Sequence, residues 1–254
     1  MVVLNPFKFP RENRFADYEG IPQLSAEDIL INYGLGKEYL AVDLEVPLVP
    51  LGGHMTHTEM VLVVGLIKVS NASSFLEIGT FDGLTALNIL RNCAAVREIV
   101  TVDLPDEIHR AGGSGTRHPL DQINASMLDT VAVGSRLSSH PQAGKVRQIR
   151  KDSASLDEAD LTRSTYDCFL IDGSHTFQYC YSDTQFALRH LAKQGFILWH
   201  DYSKLKTLSG VTRCLLTLAE SGEYSLFWLR SGDIVTSLVI GFRRADFSEG
   251  LAMS

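Results

Sequence analysis

Cysteine, positive charge and long apolar runs are all in short supply in this sequence of 254 residues. The four cysteines, Cys93, Cys168, Cys180 and Cys214, form no C-x-x-C pair, which argues against a zinc ribbon. They read instead as core thiols in a reducing compartment. The longest apolar stretch, Met60–Ile67, is too short to span a bilayer, so no membrane association is expected. Lys and Arg number 23 against 30 Asp and Glu, giving a net charge of −7. The sequence pI is about 5.6, without the basic footprint of a nucleic-acid binder. No internal repeat or low-complexity tract is present. The N-terminus has no basic segment followed by an apolar core, so no signal peptide is expected and a cytoplasmic location is. What is present is 45% hydrophobic residues, enough for one large α/β domain with a well-buried core.

Residues 1–50 carry Pro6, Pro10, Pro22, Pro47 and Pro50 and no sheet pattern. They are expected to form an irregular N-terminal cap over the site or an arm in a homodimer, apart from a main domain of residues 51–254. Within them, Ser25 to Asp28 ahead of Ile29–Ile31 reads as a capping box opening a short helix. Beyond them strands and helices alternate. The pattern predicts a helix over 58–69, then strands at 75–78, 98–103, 146–150, 166–171 and 195–199. The intervening helices are expected over 84–94, 121–134, 176–192 and 210–220, and the loop 104–120 as a mobile lid. Two last strands, 224–230 and 234–242, flank the hairpin signal Ser231-Gly232-Asp233. The expected fold is α/β: a doubly wound, mostly parallel, seven-stranded sheet ending in an antiparallel strand.

In such a sheet ligands bind at the carboxyl ends of the strands. Those ends are polar here: Glu77 and the turn Gly79-Thr80-Phe81-Asp82-Gly83, then Asp103, Asp152-Ser153, Asp172-Gly173-Ser174-His175 and His200-Asp201-Tyr202. An acid placed like Asp103, about twenty residues past the glycine turn, can accept both ribose hydroxyls of a nucleoside. The turn is not G-x-G-x-x-G, because Phe81 stands where a second glycine would admit a pyrophosphate. That counts against a nicotinamide-dependent oxidoreductase, the first rival reading. A nucleoside without phosphates needs no such approach.

The motif Glu77-Ile78-Gly79-Thr80-Phe81-Asp82-Gly83 resembles the first motif of class I S-adenosylmethionine-dependent methyltransferases, closest to small-molecule O-methyltransferases. Ile171-Asp172-Gly173-Ser174-His175 and the later His200-Asp201-Tyr202 resemble a bacterial branch similar to metal-dependent macrolide and sugar O-methyltransferases. The resemblance spans roughly residues 50–242. It implies Glu77 and Gly79 under the methionine part of the cofactor, Asp103 on the ribose, and Asp152 with Ser153 at the adenine edge. The implied reaction is methyl transfer to a small-molecule hydroxyl, with a nitrogen acceptor or a non-catalytic binding module as rivals.

Asp172 and Asp201 terminate adjacent strands and could share a cation. Oxygen ligands suit Mg²⁺ or Mn²⁺, and an imidazole from His200 tilts the set toward transition metals. The related metal sites usually offer a further Asp or Asn beside the second acid; here that neighbour of Asp201 is His200 or Tyr202. Without a metal, His200 or His175 is the expected general base, with Asp201 orienting His200. His54 and His57, on a loop expected near the cofactor, are second choices for that base, with a structural hydrogen bond as the favoured reading for each. Trp199 and Trp228 are read as core, and Asp167 and Asp183 as surface acids.

Overall fold

The computed structural model describes residues 14–15, 20–30, 40–47, 53–110, 121–122, 131–203 and 210–246. Among them nine strands form one sheet: β1 (Arg14–Phe15), β2 (Gln23–Ser25), β3 (Ser74–Ile78), β4 (Glu98–Asp103), β5 (Val146–Arg150), β6 (Tyr166–Ile171), β7 (Leu191–Trp199), β8 (Tyr224–Ser231) and β9 (Ile234–Arg243). The order across the sheet is β1-β2-β8-β9-β7-β6-β3-β4-β5. The helices are α1 (Ala26–Leu30), α2 (His57–Ser70), α3 (Leu84–Asn92), α4 (Asp106–Arg110), α5 (Phe177–His190) and α6 (Gly210–Glu220). None is long and apolar enough to cross a membrane.

Strands β3 to β9 are the seven expected, and β9 runs antiparallel between β7 and β8. The first two strands are additional. They come from the N-terminal segment, where β2 pairs with β8 in the register Gln23↔Trp228 and Ser25↔Arg230. Three residues cannot display an alternating pattern, so backbone pairing to the free edge of β8 left no sequence signal. The helix expected over 121–134 is helical at 121–122, is loop at 131–134, and otherwise lies outside the described residues. The expected lid begins with α4, and its glycines, Gly112, Gly113 and Gly115, are outside the described residues.

Alternate side chains along the central strands enter two different cores. Phe75, Cys168, Leu170, Phe196 and Leu198 join the layer under α2 and α3. Leu76, Ile78, Phe169, Ile171, Ile197 and Trp199 join the layer under α5 and α6. Burial on both faces is what makes these strands near-continuous apolar runs. Glu77 breaks the run: it is fully buried in the middle of β3.

The active edge is set by register. Ile78, Val102 and Ile171 are lateral neighbours, and Ile171 pairs with Trp199. The ladder continues past the strand ends: Gly79 N–H donates to Val102 O at 2.9 Å, Asp172 N–H to Ile78 O at 2.8 Å, and His200 N–H to Ile171 O at 3.1 Å. Each polar residue after a strand is thereby held by backbone.

Asp183 is not a surface acid. It is 1% exposed. Cys180, Asp183, Thr184 and Ala187 share the buried stripe of α5, at helical spacing. Burial, with the Asp152 charge added, raises its pKa to about 7; the Ser153 hydroxyl pulls the other way without reaching hydrogen-bond geometry. In the unfolded chain the same carboxyl titrates near 4. Between about pH 4 and 7 the folded state therefore binds the extra proton, and this group's contribution falls as pH rises, then levels off. Asp183→Asn is expected to remove that slope. Comparing chemical denaturation of both proteins at pH 5 and pH 8, the variant gains on the order of 1–3 kcal/mol relative to wild type at the higher pH. An identical pH dependence in both would contradict the assignment.

Candidate functional site

Strand β3 is flanked in parallel by β4 on one side and β6 on the other, so successive connections leave it in opposite directions. This is the switch point at which the ends of an open α/β sheet leave a crevice. A cavity lies there. Of the residues singled out in the sequence, Gly79, Thr80, Phe81, Asp82, Asp103, Asp152, Ser153, Asp172, His175, His200 and Asp201 line it. Glu77 and Gly83 do not.

The turn after β3 is shaped by close contact. Gly79 has φ +103°, and a Cβ there would lie 2.0 Å from the carbonyl oxygen of Asp172. Only glycine fits both the left-handed backbone and that approach. Phe81, at φ 48°, also has a left-handed backbone. Its ring packs edge-on against His54, with centroids 5.1 Å apart. Gly83, at φ 88°, leads into α3 and donates its N–H to Thr80 O at 2.9 Å. Its part is to close the turn, not to face the cavity.

Asp103 anchors the turn. One carboxylate oxygen accepts the N–H groups of Thr80 at 2.9 Å and Phe81 at 2.8 Å, and the other accepts Leu104 N–H at 2.8 Å. Asp82 is buried and accepts from Leu84 N–H, from His54 Nε2 at 2.8 Å and from Arg136 Nε at 2.5 Å. Although burial opposes ionisation, those partners hold its pKa below the ordinary range. His54 thus has a structural partner, as expected, while its Nδ1 is buried without one. Asp152 caps the short turn at Ser153–Ser155 and accepts from the Tyr179 hydroxyl at 3.0 Å. Glu77 lies beneath the cavity floor, and neither of its carboxyl oxygens has a hydrogen-bond partner. Burial, reinforced by the charges of Asp172, Asp103 and Asp82, raises its pKa well above the ordinary value.

The two aspartates expected to share an ion are brought together with both histidines. His200 Nδ1 lies 3.1 Å from Asp172 Oδ1 and 3.2 Å from Asp201 Oδ2. His175 Nε2 lies 2.9 Å from Asp201 Oδ2. Asp172, His200 and Asp201 each offer one donor atom, all within 4.8 Å of one another. Asp201 adopts φ 64° to reach inward. Burial opposes charge on His175, but Asp121 and Asp201 raise its pKa to about 10. The same balance, with Asp172 and Asp201, raises His200 well above the ordinary imidazole value.

Two members of this cluster have no counterpart among the sequence expectations. Asp121 accepts from His175 Nδ1 at 2.6 Å, from His175 N–H at 2.9 Å and from the Ser174 hydroxyl at 2.7 Å. Nothing in its neighbourhood marked it. Glu59 contacts His200 Nε2 at 3.4 Å. The signal was Thr56-x-x-Glu59, a capping box that opens α2. A second, open groove lies on the far side of His200, lined by Glu59, Tyr202, Trp228 and the start of β9. Among the described residues, His54 and His200 alone line both spaces.

A family model described as a methyltransferase domain matches residues 76–202, half of the chain. The matched span runs from β3 past β7 and includes every strand end that borders the cavity. The fold is similar to that of the cofactor-bound protein Rv0187 from MTB, at 14% identity over 86% of this chain and 89% of that one, TM-score 0.51. It is also similar to SAH-bound PaMTH1, a methyltransferase of Podospora anserina, at 12% identity over 90% and 91%, TM-score 0.51. An O-methyltransferase from Bacillus cereus in complex with SAH aligns at 16% identity over 76% and 83%, TM-score 0.49. No curated protein sequence matches the chain significantly. The chain belongs to this methyltransferase domain family, of the class I, S-adenosylmethionine-dependent kind.

Proposed function

We propose that the chain transfers a methyl group from S-adenosylmethionine to a hydroxyl of a small molecule, with a divalent cation, Mg²⁺ or Mn²⁺, held by Asp172, His200 and Asp201. The observation that carries this reading is the position of those three donors, together in the cavity of the strand ends, with His200 also bordering the open groove. The donor chemistry fits: two carboxylates and one imidazole suit Mn²⁺ and related ions, and three protein ligands leave positions for an oxygen substrate. When bound, such a cation lowers the pKa of an acceptor hydroxyl and orients it.

The chain's own residues do the rest. Asp82, Asp103, Asp121, Asp152, Asp172 and Asp201 line the first cavity, and their six carboxylates outnumber Lys151 and the imidazoles of His175 and His200 that face them. That negative surround favours a sulfonium over its neutral product. Asp103 holds the turn at Thr80 and Phe81, Gly79 lets backbone approach the cofactor, and Asp152 with Ser153 stands where the adenine edge would lie. The acceptor enters by the groove beside Tyr202 and Trp228. Displacement at the methyl carbon then depends chiefly on aligning oxygen, carbon and sulfur.

The test is transfer from methyl-labelled S-adenosylmethionine to a panel of sugars, phenols and polyketide alcohols, with Mn²⁺ and with EDTA. Labelled ether product with Mn²⁺, reduced at least about 100-fold by EDTA, is the expected result. Undiminished transfer in EDTA would remove the metal from the account. Labelling of amines alone would replace the oxygen acceptor by nitrogen.

A further inference from the structure

Glu59 does more than a capping glutamate needs to do. A capping box requires its side chain to accept the N-cap backbone N–H, here Thr56 N–H at 3.0 Å. The carboxylate also accepts the Thr56 hydroxyl at 2.8 Å. Its other oxygen accepts Ser237 N–H at 2.6 Å and the Ser237 hydroxyl at 2.8 Å. It is 4% exposed. Helix α2 and the start of β9 are thereby tied to one carboxylate, and the oxygen that serves Thr56 is the one that faces His200 Nε2 at 3.4 Å.

The two nitrogens of His200 are therefore unlike. Nε2 faces a fixed carboxylate that only accepts. Nδ1 faces Asp172 Oδ1 and Asp201 Oδ2, the two other donors of the candidate cation site. We infer that Glu59 is a positioning residue for His200: it holds the Nε2–H, fixes the ring plane, and so makes Nδ1 the atom presented to a divalent cation beside Asp172 and Asp201. The cation part of this rests on the proposed function; the hold on Nε2 does not. A carboxylate behind a ligating histidine is a general way to fix tautomer and ring orientation, and losing one typically lowers metal affinity 10–100-fold.

The experiment uses the full chain labelled with ¹⁵N-histidine, wild type, Glu59→Gln and Thr56→Ala. The His200 ring nitrogens are read by NMR without metal and with Zn²⁺, and Mn²⁺ affinity is read by electron paramagnetic resonance. Glutamine can donate to Nε2 as well as accept from it, so the expected result for Glu59→Gln, read where the ring is neutral or metal-bound, is a mixture of Nδ1 and Nε2 forms and about 10–100-fold weaker Mn²⁺ binding. Thr56→Ala breaks the cap without touching His200. It is expected to lower the melting temperature while keeping Nε2 protonated and Mn²⁺ affinity within about 3-fold.

Zn²⁺ bound through Nε2 in the wild-type protein would overturn the inference without any variant. So would Glu59→Gln with the wild-type ring spectrum and affinity, or Thr56→Ala with the same loss as Glu59→Gln. A wild-type protein that binds no Mn²⁺ would refute the metal in the proposed function. The metal-free spectra, recorded at a pH high enough to make the ring neutral, would then decide on Glu59 alone: an Nε2-protonated ring that becomes a mixed tautomer in Glu59→Gln but not in Thr56→Ala supports it, and no difference overturns it.

Discussion

Asp201→Asn is expected to lower methyl transfer at least about 100-fold while S-adenosylmethionine binds within about 3-fold of wild type. Asp201 sits at the hub of the cluster, 2.9 Å from His175 Nε2 and 3.2 Å from His200 Nδ1. Burial works against its charge, but His200 and His175 hold its pKa far below the ordinary range. Asparagine keeps the shape and tolerates the left-handed backbone at φ 64°, which alanine does less well. What it loses is the charge that orders both imidazoles and, in the proposed function, binds the cation. In the proposed function the cofactor rests mainly on the turn after β3 and on Asp103, which this substitution leaves alone. Turnover and a binding titration on the same sample check it. Intact turnover would remove Asp201 from the chemistry, and equal loss of binding would make it part of the cofactor site.

Gly79→Ala is expected to act at the opposite end, on the fold and the cofactor together. Its Cβ would sit 2.0 Å from the Asp172 carbonyl oxygen and 3.0 Å from Gly173 N, both backbone atoms. Neither can swing aside as a side chain end would, because Asp172 N–H is tied to Ile78 O. The positive φ adds strain of its own. A loss of about 3 kcal/mol or more follows, roughly 6–12 °C in melting temperature for a domain of this size. Separation of β3 from β6 at this point also displaces Asp172, so cofactor binding and cation binding fall in parallel. A variant that melts and binds like wild type would mean that the turn is not the tight cradle described here.

Most of the architecture was legible in the sequence because it rests on periodicity. Strands β4, β5 and β6 run over the residues their apolar runs predict, and Ser231-Gly232-Asp233 marks the hairpin between β8 and β9. The site was legible in outline because strand ends in a parallel sheet converge by topology, which brings Asp172 and Asp201 together without any knowledge of side-chain packing. What escaped is what depends on contacts between distant segments. Asp121 reaches His175 across 54 residues and Glu59 reaches His200 across 141, and neither spacing has a local pattern. Asp183 was misplaced for a different reason. Its charge suggested the surface, while the stripe it shares with Cys180 and Ala187 already put it inside. Glu77 carried its signal openly, as the one acid in an apolar run, and is buried without a hydrogen-bond partner.

The most direct measurement is a calorimetric titration of the metal-stripped wild-type protein with S-adenosylmethionine, repeated with Mg²⁺ and with Mn²⁺ added. The account predicts one site with micromolar affinity before any metal is added, because Gly79, Asp103 and Asp152 are in place without it, and heat from cation binding in a separate step. No binding of S-adenosylmethionine under any of the three conditions would contradict it.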